Sequence, residues 1–434
     1  MNKPEPVGEP QPTPSRRAPS PDLTRNFWAW VIYQFLHRVG WQFKMEATLM
    51  AGLISYLAPS PVVMGLFTAL NSVGRNLAPI LAAPLVDRFR RKRDILLLLW
   101  LVTCGVWAAL TVYLWLPQAS NKSVTIWVFG ACYTLFFIFL GATGVAQGAL
   151  LGKIIPADMR GRSMAMGMTL SGVINVGAIF WVYHLVQGGA FPEPRNYALS
   201  FTLTTTCFLL AGGAVLFIRE PLSDAPTRRF GLTGSLRYFA KLARENPNLA
   251  RLMAVNVAIG IVGTMMQFYT GYWRKSGTLN PGALVMATVF QVFWQSLTST
   301  FLGRVADRRG NKFVFCPLLW IEALIPLAAW ILGGWDPFRQ HWQWFLGVYT
   351  LVGIRFPMYQ LLVNYLLEIV PQRDHAMALG AVNAVQLITA PAPLVLGLLA
   401  ARFGYPLVFC LSSAIGVAGA LMAMQLQEVR ELEK

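Results

Sequence analysis

Charge is what this sequence has least of. Only 13% of its 434 residues are Asp, Glu, Lys or Arg, about half the share of a soluble domain, while 55% are hydrophobic. Acid is scarcer than base: 19 Asp and Glu stand against 36 Lys and Arg, a net charge of +17. The four histidines (His37, His184, His341, His375) fall on different elements, which excludes an obvious histidine metal cluster. The five cysteines (Cys104, Cys132, Cys207, Cys316, Cys410) stand singly in apolar segments with no CxxC. They indicate neither a disulfide framework nor a metal knuckle and read as small core residues. HExxH, P-loop, GxSxG and dinucleotide-binding patterns are all missing. No catalytic grouping, cofactor or metal is expected, and work done by this chain would have to draw on an ion or substrate gradient.

What is present is apolar length. Runs of roughly 20 or more apolar residues recur along the whole chain, as bilayer-spanning helices require. The expected fold is an all-α polytopic membrane protein with twelve transmembrane helices, at 28–57, 62–86, 95–116, 124–152, 163–187, 198–218, 251–273, 282–306, 313–334, 341–369, 377–400 and 404–426. Residues 1–26 hold seven prolines and the pair Arg16-Arg17, and read as a disordered tail with no apolar core of a signal peptide. The expected organisation is this tail, a six-helix half at 27–218, a basic linker at 219–250, a second six-helix half at 251–427 and a tail at 428–434.

The net charge alone would suit nucleic acid, but its distribution does not. Most Lys and Arg lie in alternate loops, on the face that also holds both tails; this face is called side A and the opposite one side B. Side A carries Arg88, Arg90, Arg91, Lys92, Lys153, Arg308, Arg309 and Lys312 among others, and side B little more than Lys122, Arg195, Arg274, Lys275, Arg339 and Arg402. The positive-inside rule makes side A cytoplasmic. The linker could include an amphipathic helix on the anionic leaflet.

One polar burst occurs twice. Ala83-Pro84-Leu85-Val86-Asp87-Arg88-Phe89-Arg90-Arg91-Lys92 has an echo in Gly303-Arg304-Val305-Ala306-Asp307-Arg308-Arg309-Gly310-Asn311-Lys312, with Asp87, Arg88 and Lys92 aligned on Asp307, Arg308 and Lys312. Pro156-Ala157-Asp158 and Pro371-Gln372-Arg373 repeat at a similar offset. Equivalent loops on the same face imply two parallel repeats about an axis along the membrane normal.

These two bursts resemble the loop signature G-x-L-x-D-R-x-G-R-[KR] of the major facilitator superfamily of secondary transporters. Leu85, Asp87, Arg88, Arg91 and Lys92 match in the first copy, with Ala83 and Arg90 in place of glycines. Gly303, Asp307, Arg308, Gly310 and Lys312 match in the second. The resemblance covers roughly residues 25–426. The opening Arg25-Asn26-Phe27-Trp28, with Gln34-Phe35, Gly40 and Arg75, is similar to the bacterial drug and siderophore exporter branch. Of that family's span-4 signature R-x-x-Q-G only Gln147-Gly148 remain, with Gly144 where the antiport arginine would stand. The resemblance implies alternating access around a midplane cavity lined by spans 1, 4, 7 and 10, a monomer, and a bacterial inner membrane. It makes Asp87, Arg88, Arg91, Lys92, Asp307, Arg308 and Lys312 gating residues, against the plainer reading that they only fix orientation.

Polar residues inside the spans are the remaining signal. Span 1 carries Gln34, Arg38, Gln42 and Glu46 along one i, i+4 ridge, with His37, Trp41, Lys44 and Thr48 beside it. A charge at bilayer depth is costly unless it lines water or finds a partner. Arg75 and Arg355 lie near the middle of spans 2 and 10, either as anion ligands or as partners of a buried Glu46 or Glu322. The predicted cavity set is Arg38, Gln42, Lys44, Glu46, Arg75, Gln147, Gln267, Arg355 and Tyr359, with Glu46 as proton carrier. Asn256, Gln291, Gln295, Gln360, Asn364, Asn383 and Gln386 read equally well as helix-packing amides. The expected function is proton-linked export of a small organic molecule. The alternative is an organic-anion transporter clamping with Arg75, Arg355 and Arg38, and a third reading is a sensor that moves nothing.

Overall fold

The computed structural model describes residues 21–427 apart from 181–190, 222–243, 245, 371–377 and short runs within 157–179 and 379–384. The linker is thus described only at its two ends, and both chain tails lie outside the described residues.

The first half contains α1 (Pro21–Gln42), a π-helical turn (Glu46–Met50), α2 (Ala51–Leu57), α3 (Pro61–Arg88), α4 (Lys92–Trp115), α5 (Lys122–Ile154) and α6 (Arg195–Leu216). The second contains α7 (Pro247–Gly263), α8 (Met266–Lys275), α9 (Pro281–Arg309), α10 (Asn311–Gly334), α11 (Leu346–Ile354), α12 (Met358–Ile369), α13 (Ala392–Phe403) and α14 (Tyr405–Met424). Eight helices or broken helices among the described residues are long and apolar enough to cross a bilayer. The segments outside that set include α1–α2, α3 and α9, which carry the interior polar residues Arg38, Lys44, Glu46, Arg75, Gln291 and Gln295.

Packing repeats between the halves. In the first, α3 packs on α5, α1 on α6, and α4 on both α5 and α6. In the second, α9 packs on α11, α7 on α14, and α10 on α11, α12 and α14. Each pair is the counterpart of the other at an offset of six spans, so the duplication read from the loops extends to helix arrangement. One apolar core surrounds Trp30, Trp107 and Phe136 of the first half and takes in Leu284, Val285 and Val292 of α9, and another surrounds Phe315, Leu362 and Tyr365 within the second half.

The first helix starts at Pro21, earlier than the tail boundary at residue 26. Proline suits the first helical turn, and the segment is tied down: Arg25 Nε donates to the Phe217 carbonyl at 2.7 Å, and Asn26 Nδ2 to the Arg219 carbonyl at 2.8 Å. The loop expected at 87–94 is also shorter. Helix α3 runs through Arg88 and α4 begins at Lys92.

Among the described residues, the halves meet closely toward side B. Helix α13 crosses α3, with glycines at the contact: a Cβ on Gly65 would fall 2.2 Å from the Pro393 carbonyl oxygen, and one on Gly397 would fall 2.5 Å from that of Pro61. The π-turn and α2 pack on α8, and the π-turn also packs on α9.

Candidate substrate cavity

Span 1 does not run through. Helix α1 stops at Gln42, residues 43–45 leave the helical conformation, and Met45 turns to φ −45°, ψ 124° before the chain rewinds as a π-turn. The predicted ridge therefore holds for Gln34, Arg38 and Gln42 but not for Glu46, whose direction is reset by the break. Glu46 instead opens the new helical segment, where the backbone dipole favours a carboxylate.

Lys44 sits in the break with no exposed side-chain surface. Its Nζ lies 3.4 Å from the centroid of the Trp41 ring, 4.7 Å from that of Phe136 and 3.4 Å from Glu46 Oε1. Ring faces and a carboxylate together replace the hydration an ammonium loses at this depth. The other oxygen, Glu46 Oε2, is 2.7 Å from Arg75 Nη2 of α3. Arg75 Nε donates to Asn71 Oδ1 at 3.0 Å, one helical turn away, and its guanidinium lies 5.1 Å from the Phe137 ring centroid. Even so, Arg75 remains 43% exposed.

The network continues into the second half. Asn71 Nδ2 and Gln267 Nε2 both donate to Tyr133 Oη, at 3.3 and 3.4 Å, and Thr68 Oγ1 donates to Gln267 Oε1 at 2.7 Å. Spans 1, 2, 4 and 7 thus share one polar cluster. Of the predicted residues it joins Lys44, Glu46, Arg75 and Gln267. It adds Asn71 and Thr68, which the sequence reading did not single out, although the i, i+4 spacing of Asn71 and Arg75 was there to be seen.

The other predicted residues stand apart from this cluster. Arg355 Nε is 2.8 Å from Glu322 Oε2, and the two side chains are only 13% and 4% exposed. This is the carboxylate-partner reading of Arg355. Arg355 lies at another break, residues 355–357, and Tyr359 just beyond it is half exposed. Arg38 Nε and Gln42 Oε1 are buried without a hydrogen-bond partner among the described residues, and Gln147 is partly exposed on α5. His37 is packed among Tyr33, Trp41, Trp100 and Phe208, an aromatic core position. Asn256 and Gln386 bond each other across helices, as packing amides do.

Interior breaks recur. Span 7 is interrupted between α7 and α8, so that spans 1, 7 and 10 are all broken near their middle, with Lys44, Gln267 and Arg355 in or within two residues of the interruption. Pro357 accounts for one break, since it offers no N–H to the helix. Unpaired backbone at membrane depth is tolerated where it is buried in protein or lines a cavity.

Toward side B the halves are sealed. Arg274 Nη2, at the end of α8, lies 3.0 Å from Glu193 Oε1 of the first half and donates to the Gly52 carbonyl at 3.3 Å. Tyr197 Oη donates to the same carboxylate at 3.0 Å. Deeper in, Thr48 and Thr288 share a hydroxyl hydrogen bond, and Thr270 donates to the Ala47 carbonyl, each at 2.5 Å. Among the described residues, the polar contacts between halves cluster in this side-B portion and in the Gln267 network. Arg75 and Tyr359 themselves keep exposed side-chain surface.

On side A the first-half loop is organised by a carboxylate from outside the repeated burst. Glu220, at the start of the linker, accepts from the backbone N–H of Lys92 at 2.8 Å, that of Arg93 at 2.7 Å and Lys153 Nζ at 2.7 Å. Its carboxylate caps α4 and ties the 2–3 loop to the end of α5, all within one half. Lys92 Nζ turns back to the Val86 carbonyl at 2.7 Å. Arg88, Arg91 and Arg308 are exposed and Lys312 is half-buried, while the side chains of Asp87 and Asp307 lie outside the described residues. In the second half Asn311 Nδ2 donates to Glu368 Oε1 at 2.8 Å, a weaker counterpart.

No protein-family model and no curated protein sequence matches the chain. Solved structures do. The nucleoside transporter NupG superposes with a TM-score of 0.60 at 14% identity, covering 92% of this chain and 98% of NupG. A POT family transporter in complex with 5-aminolevulinic acid gives 0.65 at 14%, covering 92% and 96%. The xylose transporter XylE from E. coli, in a partially occluded inward open conformation, gives 0.64 at 15%, covering 94% and 99%. The chain therefore has the fold of these transporters, with the same helix packing repeated in its two halves.

Proposed function

We propose that this chain is a secondary active transporter that works by alternating access and carries a small organic molecule bearing an acidic group. Arg75 is its principal contact and Glu46 its proton-linked partner. One observation carries the reading: Arg75 is half exposed at membrane depth while ion-paired to a carboxylate on the neighbouring span. A substrate acid reaching Arg75 would compete with Glu46 for the same guanidinium, which pairs carboxylates bidentately. Glu46 would then keep Lys44 and Asn71 as partners. Substrate and proton thus act on one ion pair, and through it on each other.

Several features support the transport class. The structural relatives are transporters, and no nucleotide-binding motif occurs in the sequence. The charge of the loops supports placement in an inner membrane with both termini cytoplasmic, and the exporter-like opening residues support the outward direction. The arginine clamp is narrowed relative to the sequence reading: both arginines are ion-paired, but Arg355 is only 13% exposed against 43% for Arg75, so Arg75 carries the anion without it.

The test is a thermal-shift screen of detergent-purified protein against organic anions, lipophilic cations and neutral metabolites, followed by flux in reconstituted vesicles. Anions are expected to stabilise the wild type and to lose that effect in Arg75→Gln. Glu46→Gln is expected to keep substrate exchange while proton-driven flux falls. Stabilisation by cations alone, or anion binding indifferent to Arg75→Gln, would overturn the reading.

A further inference from the structure

A cavity of about 620 Å³ lies on the outer flank of the first half, between α1 and α6, well away from the polar cluster. Its α1 wall is Arg25, Trp28, Ile32 and Leu36, at i, i+3, i+7 and i+11. These form one stripe down a helix that enters the membrane from side A. At 1.5 Å per residue the stripe is about 16 Å long, close to half of a hydrocarbon core of about 30 Å. The groove is therefore one leaflet deep.

Its chemistry changes along that length. At the side-A mouth is an exposed guanidinium, Arg25, held in place because its Nε donates to the Phe217 carbonyl at the end of α6. Next comes the half-exposed ring of Trp28, a residue type that anchors at the headgroup level. Deeper in, the lining is aliphatic. Gly213 forms part of the α6 wall, where an added Cβ would meet no heavy atom within 4 Å. A cation, then an aromatic ring, then an aliphatic channel one leaflet long is the complement of a single amphiphile.

We propose that this groove is a binding site for an anionic phospholipid of the side-A leaflet. The phosphate sits at Arg25 and one acyl chain runs along Trp28, Ile32 and Leu36 past Gly213. The commitment to an anionic lipid rests on the sign of the mouth, and on the basic loops that turn this face toward the anionic leaflet. The site would brace the junction of α1 and α6, and it is independent of whichever substrate the central cavity takes.

Native mass spectrometry of the full chain, released from detergent with phosphatidylglycerol or phosphatidylcholine of equal chain length, tests this. Phosphatidylglycerol should be retained about fivefold better, the discrimination expected of one basic side chain near an anionic headgroup. Arg25→Gln should abolish the preference. Because Arg25 also anchors α1 to α6, Arg25→Lys serves as the second variant, losing the Nε bond but keeping the charge and with it the preference. Gly213→Phe should lower retention of both lipids by filling the channel. Equal retention of the two lipids by the wild type, a preference surviving in Arg25→Gln, or the same loss in Arg402→Gln on the opposite face would overturn the proposal.

Discussion

Removing the carboxylate of Glu46 while leaving Lys44 in place would strand an ammonium between Trp41 and Phe136, in a pocket with no exposed surface. Breaking one side of a buried ion pair costs about 3–5 kcal/mol, whereas replacing both partners by apolar groups is often near neutral. Glu46→Gln alone is therefore expected to lower thermal stability by about that amount, and Lys44→Met combined with Glu46→Gln to recover most of it. Unfolding followed by tryptophan fluorescence in detergent reads the difference, and a double variant no better than the single would contradict the pairing. The sequence showed that such charges must find partners, because unpaired charge at that depth is untenable. Which partner each finds was not legible. Spacing relates residues on one helix, but Glu46 and Arg75 are brought together by two helices and a turn. Arg75 and Arg355 look alike in sequence; both prove ion-paired, but one stays half exposed and the other is nearly buried.

At the scale of elements, the helix pattern of span 1 gave no hint of its interruption. Residues 43–45 include no proline or glycine. In span 10 Pro357 was a visible signal, and the break ends at it. The loop signature was readable as polar punctuation, yet the carboxylate that organises it comes from Glu220, outside the signature altogether. Glu220→Gln is expected to destabilise the first half by about 1.5–3 kcal/mol, the loss of hydrogen bonds to a charged group. Protection of the α4 amides in hydrogen exchange should fall first at Lys92 and Arg93. Unchanged protection there would show that the cap is dispensable.

For the molecule as a whole, the duplication was legible because charge bursts mark it and because loop sides alternate with span number. The same packing pairs recur in both halves. Which face is sealed was not legible: the closure at side B depends on Glu193 and Tyr197 from one stretch and Arg274 from another, in opposite halves of the chain. Arg274→Gln or Glu193→Gln should loosen that seal. In a background freed of the five native cysteines, Thr288→Cys lies behind it, and its reaction with a membrane-impermeant maleimide added from side B is expected to quicken about fivefold in either variant, the effect of weakening closure by about 1 kcal/mol. An unchanged labelling rate would mean that the ion pair does not hold the halves together.

The crossing of α3 and α13 has a mechanical consequence. At Gly65 and Gly397 the two backbones touch with no side chain between them to compress, so the contact is stiff and sits near one end of α3. From Gly65 to Arg88 the helix extends 23 residues, about 34 Å at 1.5 Å per residue. It therefore works as a lever with its fulcrum at side B, and a turn of only about 10° there would carry the far tip by about 6 Å.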